Sequence, residues 1–282
     1  MARLRSALPV FAALMVALGL LAGGPARAAM QQPGDDPAKS EIWLKVKASL
    51  FGTRTIAPAP AGLLVLEAPA RAVDAAVVPV AIRARVTEPG RRVDRLYLII
   101  DANPSPVSAI FQLSAQSGRA EVETRVRVDE YSFVRAIVEL DDGRLYAVTR
   151  FVKASGGCSA PAGSDAKAAL ASMGQMRFRV DGDARGRDPV QVTLAIQHPN
   201  HSGLAMDQAT RQFTPAHYVR KVDVTYGGQP LFSADVDFSM SENPNFRFWL
   251  QPRAGGGELR AAMVDSQERQ FSAVQAAETA AR

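Results

Sequence analysis

The sequence predicts an all-β protein built as two β-sandwich domains, and three observations carry that expectation. Apolar residues recur at every second position through most of the chain, which is the period of a half-buried strand. Turn-forming pairs interrupt those runs at hairpin spacing. The 282 residues are 47% hydrophobic, enough for packed cores, and at roughly 150 residues per domain the length suggests about two domains.

Taken in order, Asp36-Pro37 is expected to open a short helix, with Asp36 as N-cap and Pro37 at the first helical position. Ile42, Trp43, Val46 and Leu50 keep helical spacing until Gly52 closes the segment. The period then changes to two. Val78, Val80, Ile82, Ala84 and Val86 share one face, and Val122, Thr124, Val126 and Val128 alternate with charged residues. Leu96 to Ile100 runs into a turn at Asp101, Asn103 and two prolines, and Asp141-Asp142-Gly143 joins two strands as a hairpin. This is the first domain, residues 37–153. Residues 154–174 are Ala/Ser/Gly-rich and read as a linker, with a helical turn or two from Asp165. Period two resumes at Met176 and again at Val190, Gly227-Gly228 makes a second hairpin, and Phe246, Phe248 and Leu250 mark a further strand. Leu259 to Val264 closes the second domain, residues 175–272, and residues 273–282 read as a helical or frayed tail.

Charge needs one correction before it can be read. Residues 1–28 have the form of a secretory leader: Arg3 and Arg5, an apolar stretch from Leu8 to Ala22, then Ala26-Arg27-Ala28 as a cleavage pattern. Its removal leaves 30 basic against 28 acidic residues, so the formal +5 falls to +2. The expected location is the periplasm, with no membrane anchor once the leader is cleaved. Clustered Lys/Arg with interleaved aromatics is absent, which sets nucleic acid aside as a partner.

The chain has one cysteine, Cys158. That excludes an internal disulfide framework and Cys-rich metal centres. Gly156 and Gly157 precede it and Ser159-Ala160-Pro161 follow, so the sequence predicts a thiol on a flexible, exposed arm. An exported chain with one unpaired thiol suggests intermolecular pairing or a reactive site. Such an arm lacks the fixed base and oxyanion donors of a hydrolase, so a tether for a covalently held group is the better chemical reading. No independent catalytic constellation or cofactor motif is present, and the protein is not expected to be an enzyme.

At these residues the chain resembles a known family. Lys153-Ala154-Ser155-Gly156-Gly157-Cys158, closing a β domain, resembles the carboxy-terminal arm of SoxY, the sulfur carrier of the Sox pathway. The second domain resembles SoxZ at Gln197-His198-Pro199, at Phe213 to Val219, at Tyr226-Gly227-Gly228 and at Ser241 to Phe248. With Glu41-Ile42-Trp43 and Asp101-Ala102-Asn103-Pro104-Ser105-Pro106, the resemblance is greatest to quinoprotein dehydrogenase-associated SoxYZ-like carriers. It implies two immunoglobulin-like sandwiches and a sulfur-containing or other small group held covalently on Cys158. It also implies periplasmic redox partners: a quinoprotein dehydrogenase, a c-type cytochrome, or enzymes of Sox-type thiosulfate oxidation. The alternative is a non-covalent accessory partner of such a dehydrogenase or its cytochrome. Here the arm is continuous with the second domain, so it sweeps less space than a free tail.

Three other patterns are weaker. His198, His201 and His217 with Asp207 have ligand chemistry but no spacing that fixes a metal geometry, so no metal is expected. Asn200-His201-Ser202 matches a glycosylation triplet of a kind that arises by chance. Gly255-Gly256-Gly257 reads as a turn.

Overall fold

A computed structural model describes residues 31–161, 163, 166–207 and 210–277. The leader and the expected helix start at Asp165 lie outside the described residues. The chain is mostly strand, as predicted, and its strands form two sheets.

The helix starts later than Asp36-Pro37 predicts. Asp36 caps only a 3-10 turn, Pro37–Lys39, by accepting from the Ala38 N–H. Ser40 then caps helix α1 (Glu41–Phe51) by accepting from the Trp43 N–H at 3.2 Å, and Gly52 ends it at a φ of 56°. Trp43 and Phe51 form the buried stripe of α1 and cover Tyr97, Ile99, Ile137 and Leu145 on the outer face of the larger sheet.

That sheet has nine strands. In spatial order they are β1 (Ile56–Pro58), β8 (Leu145–Val152), β7 (Ser132–Leu140), β4 (Val93–Ile100), β5 (Val107–Leu113), β12 (Gln229–Val236), β11 (Val219–Tyr226), β14 (Glu258–Asp265) and β15 (Gln270–Ala276). The smaller sheet runs β2 (Leu64–Glu67), β3 (Val78–Ala84), β6 (Ala120–Val126), β13 (Asn245–Leu250), β10 (Val190–Ile196) and β9 (Met176–Asp181). A short helix, α2 (Ala166–Ser172), precedes β9.

Both sheets run continuously from the first half of the chain into the second. In the larger, β5 pairs with β12 over five residues, from Phe232↔Leu113 to Val236↔Ala109. In the smaller, β6 meets β13 at Arg247↔Glu123. The core is likewise shared: Phe111 lies 5.9 Å from Phe232 and 6.3 Å from Phe246, and Phe232 stacks on Phe248 at 4.7 Å. Pairs of this kind contribute about 0.5–1.5 kcal/mol each beyond the area they bury. Two of the strands that carry this arrangement lie outside the runs named from the sequence. β5 alternates, with Ala109, Phe111 and Leu113 facing the core and Ser108, Ile110 and Gln112 facing out, where Ile110 is packed under α1. β15 is the edge strand that occupies residues read as tail: its pairing with β14, from Glu258↔Ala276 to Val264↔Gln270, extends the second half to Ala276. No described helix is long and apolar enough to cross a membrane.

Candidate functional site around Cys158

Cys158 sits where the two halves meet, at the end of the sandwich reached by β6. The chain leaving β6 gives Arg127, Val128 and Asp129, and the segment after β8 folds back onto these three residues. The Gly156 N–H donates to the Asp129 carbonyl at 2.7 Å and the Gly157 N–H to the Val128 carbonyl at 3.1 Å. The Cys158 N–H donates to Asp129 Oδ1 at 3.2 Å. From the second half, the Ser202 hydroxyl donates to the Cys158 carbonyl.

This corrects the expected exposed thiol. Cys158 is 0% exposed, and burial, with a further contribution from Asp129, pushes its thiol up to about 12. Arg127 acts in the opposite direction and Asp237 with Asp129. A thiol in this state is protonated at neutral pH and is not a nucleophile. The two glycines also meet a steric need of the docked loop. Gly156 has a φ of 79°, which side chains rarely adopt. At Gly157 a Cβ would lie 2.1 Å from the Ala75 carbonyl oxygen and 2.6 Å from that of Val128. Only glycine lets the loop lie this close, so the pair permits tight docking of Cys158.

Sequence reasoning missed the residues beneath the thiol. Arg127 is 4% exposed, although it falls on the polar side of the β6 alternation. Its Nη1 donates to the carbonyls of Asn200 at 2.6 Å, Met240 at 2.8 Å and Phe238 at 3.0 Å, all in the second half. Asn103 ties the corner: its Nδ2 donates to the Arg127 carbonyl at 2.9 Å and its Oδ1 accepts from the Asp129 N–H at 2.9 Å. Asp237 is held up at about 6 by burial, against hydrogen bonds from Ser105 and Ser239 that favour its charged form. The available signal was the Asp101-to-Pro106 motif, whose Asn103 now has a physical task.

The histidines gather differently from the sequence expectation. His198, His217 and Asp265 form a buried group whose potential ligand atoms lie within 4.8 Å of one another. His217 Nε2 is 2.7 Å from Asp265 Oδ2 and His198 Nε2 is 3.7 Å from it. Asp265 takes the acidic place expected of Asp207, which instead accepts from the Thr210 N–H at 2.8 Å. His201 contributes its carbonyl to the His217 N–H at 2.9 Å, not a ring nitrogen to the group. The hydrogen bonds speak against a metal here. His198 Nδ1 accepts from the Asn200 N–H at 3.0 Å, which leaves the ring proton on Nε2, the atom that would have to coordinate. Asn200 is itself 0% exposed, with Nδ2 donating to the Met240 carbonyl at 2.7 Å. Its side chain is therefore closed to glycosylation. The group braces Asn200, and Asn200 in turn holds Arg127 under Cys158.

Comparison with known proteins follows the same division of the chain. Residues 47–158 match the family model of sulfur oxidation protein SoxY, and residues 177–276 match that of sulphur oxidation protein SoxZ. No curated protein matches the chain. Among solved structures, a glycosyl hydrolase family 2 member from Bacteroides cellulosilyticus is similar at 12% identity with a TM-score of 0.20, covering 72% of this chain and 23% of that one. That likeness carries no argument. The SoxY match ends on Cys158 itself, and both domain families are non-catalytic carrier or accessory proteins that work with Sox-type enzymes. With a SoxY-type and a SoxZ-type domain in tandem on one chain, the matches support a fused SoxYZ-like protein.

Proposed function

We propose that the protein carries a sulfur-containing group covalently on Cys158 and presents it to partner enzymes in the periplasm. The observation that carries this reading is the position of the chain's one thiol. It ends the SoxY-like region, on a loop held to the body mainly by backbone hydrogen bonds. Loading requires the loop to lift, because a thiol held at about 12 cannot attack and a fully buried one cannot be reached. Once lifted into water, the thiol returns toward about 8.5 and a few per cent is thiolate at neutral pH. A quinoprotein dehydrogenase, its cytochrome or a Sox-type enzyme would load and unload it.

Intact mass spectrometry of protein recovered from cells should show an adduct on the wild type that is absent from Cys158→Ser, together with the mass lost on leader cleavage. A thiol that stays unmodified during growth, with function retained in Cys158→Ser, overturns the carrier reading.

The seal over Cys158 also favours a second reading, in which the protein is a non-covalent accessory of a quinoprotein dehydrogenase and the thiol is structural. Co-purification of the dehydrogenase with both wild type and Cys158→Ala would support it; loss of the association in the variant alone would count against it.

A further inference from the structure

The smaller sheet carries a groove on its outer face with a volume of about 760 Å³. Five arginines line it: Arg83 from β3, Arg125 from β6, Arg150 from β8, Arg179 from β9 and Arg247 from β13. The lining carboxylates are Glu67 and Glu123. Glu121 and Asp181 also stand within ion-pair distance of these arginines, so the five arginines meet four carboxylates and one positive charge is in excess. Basic charge that is scattered along the sequence is concentrated here in space.

The carboxylates nearby are already committed. Arg83 is paired with Glu67 at 2.6 Å and Glu123 at 2.9 Å, Arg247 with Glu123 at 3.4 Å, and Arg179 with Asp181 at 3.0 Å. Among the described residues, Arg125 and Arg150 have no ion-pair partner. Four buried atoms of the groove's lining also lack a hydrogen-bond partner: Arg83 Nη1, Arg125 Nε, Arg247 Nε and Thr193 Oγ1. Buried donors in native proteins are almost always satisfied, by protein or by water, so the groove has donors to offer in addition to its two unpaired arginines.

We infer that this groove docks an acidic segment of a partner protein, with side-chain carboxylates on Arg125 and Arg150. Three features select that occupant. Apolar residues are interleaved with the arginines, Val65 directly across from Arg83 and Pro79 across from Arg125, with Pro69 and Ala81 beside them, and these suit the backbone and aliphatic parts of a peptide. No aromatic ring lines the groove, so it lacks the stacking surface that single-stranded nucleic acid uses. Its volume is far more than a single tetrahedral oxyanion fills. Position adds a fourth consideration, which rests on the carrier reading. β6 carries Arg125 in the groove and continues directly into Arg127–Asp129, the seat of the Cys158 loop, so a partner held here would stand beside the thiol.

The test measures binding of a fluorescent oligo-glutamate peptide to the full chain by anisotropy. Wild type and Cys158→Ser should bind alike, with affinity that falls as salt rises. The double variant Arg125→Gln/Arg150→Gln should bind about tenfold more weakly, and Arg125→Lys/Arg150→Lys should restore most of the loss. Arg150→Gln alone changes an exposed side chain and should weaken binding about threefold, a result that does not depend on how well the double variant folds. Undiminished binding by the glutamine variants overturns the proposal. So does displacement of the peptide by sulfate at equal charge concentration, or tighter binding of an oligothymidylate. Because Cys158→Ser is expected to bind normally, failure of the carrier reading and failure of this inference give different results.

Discussion

Arg135 and Arg127 are both 4% exposed, yet they are held in opposite ways, and Arg127 Nε has no hydrogen-bond partner. Arg135 meets Asp101 through two hydrogen bonds, Nε to Oδ1 at 2.7 Å and Nη2 to Oδ2 at 2.6 Å, and lies 4.5 Å over the Trp43 ring. It is a paired charge with a lid, and it fixes α1 to the sheet. Arg127 has no carboxylate at ion-pair distance among the described residues. It relies on carbonyls of the other half of the chain, and burial lowers its pKa below the usual arginine value, against the opposing effects of Cys158 and Glu242. Evolution of a stable fold alone favours the first solution, because a buried charge without a counter-charge is expensive. The second is found under the thiol, where the two halves must stay in register.

The largest effect should come from breaking the paired site. Arg135→Met leaves the carboxylate of Asp101 fully buried with its main counter-charge gone and should cost about 3–5 kcal/mol in urea unfolding. The double variant Arg135→Met/Asp101→Leu should recover a large part of that. A loss under about 1 kcal/mol in the single variant would mean that the pair carries little.

A comparable magnitude is expected from pH, through the group that braces Arg127. His198 is held down at about 4 by burial and by its neighbour His217, against an ordinary value of 6.5. The unfolded chain therefore takes up this proton first, and stability is lost as pH falls from about 6.5 to about 4, by up to about 3 kcal/mol. His201, also lowered by burial, adds to the same slope. Asp237 opposes it. Its folded value of about 6 lies above the ordinary 3.8, so its contribution is full at low pH and is lost as pH rises toward 6. Asp237→Asn should thus steepen the acid loss seen in urea midpoints between pH 4 and 6.5, whereas His198→Gln should flatten it. Identical slopes in the two variants would show that these groups do not govern acid stability.

How much of this was readable in the sequence depends on whether a residue's role is set locally. Strands with one wet face announced themselves by alternation, and Gly52 ended its helix where expected. β5 alternates as well, but Ile110 on its outer face lies under α1, and no local pattern reports such a second covering layer. Cys158 and its two glycines were found by composition, but the exposure expected of the thiol was not met. Glycine also lets two backbones touch, and only the Ala75 and Val128 carbonyls reveal that use. Arg127, Asp129, Ser202 and Asp265 became site residues through contacts spanning tens of residues of sequence, which no spacing rule captures.

Removing the unpaired cation should do less than removing the paired one. Arg127→Met leaves neutral carbonyls behind, and that of Met240 keeps the Asn200 Nδ2 donor. The expected cost is about 1–3 kcal/mol. The difference should appear in thiol reactivity, because Asn200 and Ser202 sit on the same short segment: labelling of Cys158 by a small maleimide should speed up in Arg127→Met and stay near wild type in Arg135→Met when both are assayed well below their unfolding midpoints. Equal acceleration in the two variants would reduce the contrast between the arginines to global stability.

The smallest change isolates the seal itself. Ser202→Ala removes one hydroxyl, which donates to the Cys158 carbonyl and accepts from the nearby Leu204 N–H at 3.1 Å. A neutral hydrogen bond is worth about 0.5–1.5 kcal/mol, so overall stability should shift by no more than that for each bond. If the bond to Cys158 holds the loop rather than the fold, nearly all of the loss appears as local opening, and maleimide labelling accelerates by about two- to tenfold at an unchanged urea midpoint. If the bond belongs to the general packing of the seam, the midpoint falls and labelling under native conditions does not change. The first outcome marks Cys158 as a residue kept behind a latch that partners can lift, and the second marks it as part of the joint between the halves.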